Sequence, residues 1–313
     1  MNYSLLLVVL VFAQYSVQTN RGSKLTEKHL GVNENTSFDL ASLPLPTYCR
    51  HHGLLLDYPV SATTSWAGAT IDMPRSNTSD IDVPAIRSVK AQWDIPRLCL
   101  RENQNISSAR MLQMWIGISG KGCKPKGAMI QAGIRAVLQD DGRTTASAWV
   151  SWYPAISYMN IVDFDVGPGD VVTIELTVSD ATNGKVQIIN GRTNQVASQP
   201  AYSPDPSVGD FSICSDSDGR AWAVVEGPFT PKRDPPDTAA AADEIPVFDD
   251  VSFRTLEVSA PDKTESRGLH DDSAMLYVVA NDQGVAVNVD ALGDNGFQLY
   301  TTKSCANDPL DHE

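Results

Sequence analysis

The chain has 313 residues and a formal net charge of −14, from 24 basic and 38 acidic side chains. With 42% apolar residues it can bury a sizeable core, which excludes wholesale disorder, and its length allows one large domain or two ordinary ones. No basic run offsets the acidity, so nucleic acid is excluded as an expected partner, and only five His and five Cys are available for chemistry.

The stretch from Leu5 to Ala13 is apolar throughout and stops at Gln14. It is too short for a bilayer, which needs about 20 apolar residues. It fits the apolar core of a secretory signal peptide, with Val11 and Ala13 as small residues before a cut. Residues 1–13 are therefore expected to be removed, giving a secreted, extracellular chain with no membrane partner. Three Asn-x-Ser/Thr sequons, at Asn35, Asn77 and Asn105, agree with export as glycosylation sites. Residues 14–58 are thin in aromatics, hold His29, His51 and His52, and set four basic against four acidic side chains. They read as a propeptide that becomes cationic as its histidines protonate, or as a plain N-terminal arm. The whole net charge then belongs to the chain from Pro59 onward, which divides into a body, 59–305, and a short tail, 306–313.

Along the body, segments 128–138, 144–153, 171–179, 185–189, 222–226, 251–259, 274–280 and 297–303 are short and rich in β-branched and aromatic residues. Turn residues separate them: Asp140-Asp141-Gly142, Gly167-Pro168-Gly169-Asp170, Asn183-Gly184, Asn190-Gly191 and Gly293-Asp294-Asn295-Gly296. Many short strands at this spacing predict an all-β sandwich or barrel of antiparallel sheets. Residues 228–246, rich in Pro and Ala, read as a long surface loop. In an oxidising compartment Cys99, Cys123, Cys214 and Cys305 allow two disulfides in three connectivities, with Cys49 lying earlier.

Beyond residue 58 only His270 and His312 remain, so a histidine-based nucleophile would rest on His270 alone. No Gly-x-Ser-x-Gly elbow, clustered zinc ligands, Asp-Thr-Gly pair or phosphate loop is present. The sequence thus predicts neither metal nor cofactor, and leaves a carboxylate site or no catalysis. Strand parity narrows it. In 128–138 the apolar residues Ile130, Ala132, Ile134, Ala136 and Leu138 share one face, while Met129, Gln131, Gly133 and Arg135 share the other. In 222–226, Glu226 shares a face with Trp222 and Val224. Singly, such residues are most often solvated.

At these two strands the sequence resembles the glutamic peptidases, or eqolisins. Ser65-Trp66-Ala67-Gly68-Ala69, Trp115-Ile116-Gly117-Ile118, Ile130-Gln131-Ala132-Gly133, the run from Ala148 to Pro154 and the run from Ala221 to Glu226 are similar to successive blocks of that family. The resemblance implies a sandwich of two bent antiparallel sheets, of the lectin-like jelly-roll kind, with a catalytic pair on the concave face. Carried over, Gln131 and Glu226 are that pair. Glu226 would take a proton from the attacking water and return it to the leaving amine, and Gln131 would stabilise the oxyanion. The resemblance also implies a disulfide between Cys123 and Cys214, leaving Cys99 and Cys305 for a second, and a signal and propeptide ahead of the enzyme.

The expectation is a monomeric, secreted, acid-acting endopeptidase on polypeptide substrates, with Trp66, Trp115 and Trp149 walling the cleft or packing between strands. Its acid range follows from an ordinary glutamate pKa of about 4.3. Positions acidic in the family read Ser119, Arg135, Ser147 and Ser151 here, and Trp222 stands for a glutamate. An Arg135 cation aimed at Glu226 would lower its pKa. That loss of carboxylates supports the rival reading, a non-catalytic carbohydrate- or peptide-binding protein on the same sandwich.

Overall fold

The computed structural model describes residues 60–63, 65–74, 84–100, 110–120, 128–204, 207, 211–213, 218–227, 245–261, 266–281, 284–293, 295–301 and 305. The expected signal peptide, propeptide and C-terminal tail lie outside these residues, as do Asn35, Asn77, Asn105, Cys49, Cys123, Cys214 and most of the loop 228–246.

The described chain is built from strands. β1 (Val60–Thr63), β2 (Trp66–Met73) and β3 (Ser88–Asp94) precede the two-residue β4 (Leu98–Cys99). Three ten-residue strands follow, β5 (Met111–Gly120), β6 (Met129–Leu138) and β7 (Thr144–Tyr153), then a short β8 (Ile156–Asn160). Next come β9 (Val171–Val178), β10 (Asn183–Asn190), β11 (Val196–Tyr202) and β12 (Gly219–Glu226). The C-terminal part adds β13 (Val247–Phe248), β14 (Val251–Phe253), β15 (Thr255–Ser259), β16 (Ser266–Arg267), β17 (Ala274–Asn281), β18 (Gly284–Ala291) and β19 (Phe297–Thr301).

Two sheets carry the fold, as expected. The larger, of eleven strands, runs β14-β19-β18-β17-β2-β12-β5-β6-β7-β8, with β1 parallel to β17; the smaller, of six, runs β11-β10-β9-β3-β15-β16. Apart from the β1 pairing, every register is antiparallel. Alternation explains the packing. Ile130, Ala132, Ile134 and Ala136 of β6 are fully buried, and they face inward with Val89, Ala91 and Trp93 of β3 and Val172, Ile174 and Leu176 of β9. At Arg254 the chain passes from β14 in one sheet to β15 in the other, and this corner is filled by Phe253 between Trp93 (5.0 Å) and Phe297 (4.7 Å).

The turns follow side-chain chemistry. Gly142 and Gly169 take φ of 82°, a left-handed conformation that a Cβ would strain. Asn183-Gly184, expected as a turn, instead opens β10. The reversal is made one step earlier by Asp180, whose carboxylate accepts from the Thr182 N–H (2.8 Å) and the Asn183 side chain (2.8 Å).

A disulfide joins Cys99, at the end of β4, to Cys305 beyond β19, 206 residues later in the chain. Closing so long a loop removes much of the unfolded chain's freedom. Replacing both cysteines by serine is expected to lower unfolding free energy by about 2–5 kcal/mol, read as a lower denaturant midpoint with a steeper slope, because the freed unfolded chain exposes more surface.

Candidate active site

The second face of the large sheet is where the polar chemistry lies. Because β5 sits between β6 and β12, cross-strand register places side chains in rows. Glu226 stands opposite Gln113, which stands opposite Arg135, which stands opposite Ser147. The next row on this face is Val224, Trp115, Gly133 and Trp149, and the one after is Trp222, Gly117, Gln131 and Ser151. Gln131 and Glu226 therefore share a face, two strands and two rows apart. Trp115 lies between them.

This face is not solvated in the way a lone outward Gln or Glu ordinarily is. Trp115, Trp149, Trp222 and Val224 are buried and form a second apolar cluster, with Trp66 and Met129 packed against it. Four of the six tryptophans are thus on the site face. Trp66 meets Trp222 edge-on at 5.4 Å and Tyr277 at 4.5 Å, and Trp222 lies 6.4 Å from Trp115. The three expected wall residues are brought to one place, Trp66 partly exposed and Trp115 and Trp149 buried. Backbone space makes this packing feasible. A Cβ on Gly133 would sit 2.3 Å from the Met114 carbonyl oxygen and 2.6 Å from the Trp115 Cβ, and one on Gly117 would meet the Trp115 ring at 3.0 Å.

Trp115 Nε1 donates to Glu226 Oε2 at 3.0 Å. That bond favours the carboxylate, but burial among the tryptophans dominates and pushes the Glu226 pKa up to about 7. The expected lowering by Arg135 does not occur. Its guanidinium instead stacks on the Tyr158 ring, 4.7 Å from the centroid. The Glu226 charge does reach across the curved face to Tyr153 and Tyr158, whose phenols are raised first by burial and then by that carboxylate.

Gln131 is 9% exposed, and its Nε2 donates to the Met129 thioether at 3.1 Å. Thioether sulfur is a weak acceptor, so this amide is held in place but bound loosely. Gln131 and Glu226 do not bond each other. Two of the three expected serines are engaged as neutral partners: Ser119 accepts from Trp222 Nε1 at 2.9 Å, and Ser151 donates to the Ile156 carbonyl at 2.7 Å. Ser151 marks a bulge between β7 and β8.

Two further residues of the site were not singled out from the sequence. Gln113 is fully buried, and its Nε2 donates to the Tyr158 hydroxyl at 3.2 Å. Tyr158, on β8, also meets Trp149 edge-on at 4.6 Å. Parity along 111–120 places Gln113 with Trp115; the short mixed segment 156–160 carries no comparable signal for Tyr158.

The Peptidase A4 family pattern matches residues 64–299 of this chain. Aspergillopepsin-2 of Aspergillus niger is 24% identical over 145 residues, which span 42% of this chain and 47% of that protein, about half its length. Among solved structures, scytalido-glutamic peptidase with a transition state analogue inhibitor superposes with a TM-score of 0.55 at 22% identity, covering 76% of this chain and 98% of its own. SCP-B, a member of the eqolisin family of peptidases in a complex with the tripeptide Ala-Ile-His, gives 0.52 at 20% identity over the same shares. These likenesses show the sandwich fold in common.

A buried carboxyl with a raised pKa is a pH-dependent load on the fold. Between the unfolded value of 4.5 and the folded value near 7, the native state holds a proton that the unfolded state has lost, so stability falls as pH rises through that window. Glu226→Gln removes the load. It is expected to match the parent's stability at pH 4 and exceed it at pH 8 by up to about 3 kcal/mol, the upper bound because Glu226 keeps part of its surface in water. Urea melts at the two pH values check this.

Proposed function

The chain belongs to the Peptidase A4 family, and from that premise we propose that it is a secreted endopeptidase in which Glu226 and Gln131 form the catalytic pair. The observation that carries the reading is the Glu226 carboxyl, which among the described residues is held by one indole N–H, on the same face as an amide that donates to a thioether.

The chemistry follows from those environments. A polypeptide enters the tryptophan-lined face and its scissile carbonyl comes between the two groups. Glu226 as carboxylate removes a proton from water as the water attacks the carbonyl carbon. Negative charge builds on the carbonyl oxygen, and Gln131 turns its N–H from Met129 to this stronger acceptor. The protonated Glu226 then gives its proton to the departing amine, and the carbon–nitrogen bond breaks. Unbound sites commonly hold such groups apart until substrate spans them. Trp115 keeps the carboxyl oriented through the cycle.

The pKa decides the working range. The base must be ionised, and burial delays ionisation to about pH 7. Activity is therefore proposed to be greatest at and above neutrality and to fall away in acid, with an acid limb well above that of an ordinary glutamate and not the acid range expected from an unperturbed pKa.

Two outcomes test this. On an unfolded protein substrate, Glu226→Gln is expected to lower kcat/KM by about a thousandfold and Gln131→Ala by about a hundredfold, with folding checked by near-ultraviolet circular dichroism. In the parent, kcat/KM is expected to fall about tenfold per pH unit below a midpoint near 7. Cleavage undiminished in Glu226→Gln would reject the pair. A folded parent that cuts nothing across the range would leave a binding protein on this sandwich.

A further inference from the structure

Beside the proposed catalytic pair lies a second polar group with no task in the chemistry above. Of the nine arginines among the described residues, seven pair with a carboxylate and Arg87 donates to a backbone carbonyl. Arg135 does neither. Its guanidinium lies on the face of Tyr158, and its buried Nε has no hydrogen-bond partner among the described residues.

It is not alone in this. Gln113 Oε1 and Trp149 Nε1 are also buried without a hydrogen-bond partner among the described residues, in side chains with no exposed surface. All three residues touch the same ring: Gln113 donates to the Tyr158 hydroxyl, Trp149 packs edge-on against it and Arg135 lies over it. Two donors and one acceptor left unpaired around one tyrosine are costly unless something arrives to use them, because a buried polar group without a partner forfeits its hydration.

We propose that Arg135, with Gln113 and Trp149 around Tyr158, forms a substrate subsite that recognises a carboxylate of the peptide being cut. A guanidinium binds a carboxylate through parallel N–H bonds, which a neutral amide cannot reproduce. Gln113, which has no exposed surface, donates to the Tyr158 hydroxyl and so fixes the ring on which the guanidinium lies. Arg135 stands on the Glu226 row two strands away, about 10 Å across the sheet. An extended peptide covers that distance in about three residues, so the recognised group lies within three positions of the cut bond. The carboxylate has two sources, an Asp or Glu side chain or the C-terminus of the peptide.

This subsite deepens the peptidase reading and rests on it, so the test separates the two. One cleavable peptide would be made with Glu or Gln at each of three positions either side of the scissile bond, each as free acid and as C-terminal amide. Parent, Arg135→Gln and Arg135→Lys would be assayed at pH 6, and binding would be followed by tryptophan fluorescence with the same peptides. At one position the parent is expected to favour Glu over Gln by about tenfold in kcat/KM, a ratio that falls to about one in Arg135→Gln and partly survives in Arg135→Lys. A preference that follows the free acid and vanishes with the amide assigns the C-terminus as the source. A Glu-to-Gln ratio the same in Arg135→Gln as in the parent overturns the subsite, as does cleavage by the parent with no dependence on any carboxylate. Tighter binding of the acidic peptide that is lost in Arg135→Gln, without cleavage, keeps the subsite and rejects the peptidase. Absence of both binding and cleavage by the folded parent rejects both.

Discussion

The molecule is organised by the burial of its central strands on both faces. β5, β6 and β12 turn one set of alternating side chains toward the small sheet, as any sandwich must. Their other set would ordinarily meet water, yet here it is covered by tryptophans from β2, β5, β7 and β12. A carboxyl placed on that second face is taken out of water without being taken into the core. That is the condition under which Glu226 can hold a proton at pH values where an ordinary glutamate has lost it. The small residues Gly117 and Gly133 belong to the same constraint, since the indole of Trp115 occupies the space their side chains would need.

Much of this was legible in the sequence, for reasons that differ by element. The long strands β6 and β7 were readable because a side chain on every second position must be apolar when one face is buried, and Ile130, Ala132, Ile134 and Ala136 satisfy that rule. The same alternation sets Gln131 on the opposite face and puts Glu226 on one face with Trp222 and Val224. The short strand carrying Tyr158 was not readable, since Ile156–Asn160 has no alternation and gains its place by pairing with β7 across a bulge. The Asn183-Gly184 step was misread because Asp180, three residues earlier, competes for the same turn through its own carboxylate. The pKa of Glu226 was beyond local reading altogether. It is set by burial that arises only in the folded sheet, where Trp66 of β2 and Gln113 and Trp115 of β5 come beside the carboxyl from distant parts of the chain.

The replacement of acidic positions by neutral ones also acquires a physical sense. Ser119 and Ser151 are consumed by bonds to Trp222 and to the Ile156 carbonyl, so these positions now hold the walls together. With serines at these two positions Glu226 meets no added negative charge there, and burial raises its pKa. The Arg135 charge is turned away onto Tyr158 and leaves this balance undisturbed. The two groups can thus serve different ends of one bound chain without neutralising each other.

Strand order also dictates when this surface can exist. β2, made early, lies between β12 and β17, so residues 66–73 find their neighbours only after residues 219–226 and 274–277 have been synthesised. Glu226 pairs with Trp66 across that seam, at a separation of 160 positions. Pairings of such range are slow to form because loop closure must precede any gain from contact. Until β12 is available, the β5–β6–β7 hairpins can assemble but their tryptophan face stays open on one side. A nascent chain that ends before β12 therefore carries Gln131 without Glu226 or Trp222, and the environment that tunes the carboxyl arises only once residues 219–226 have paired with β2 and β5.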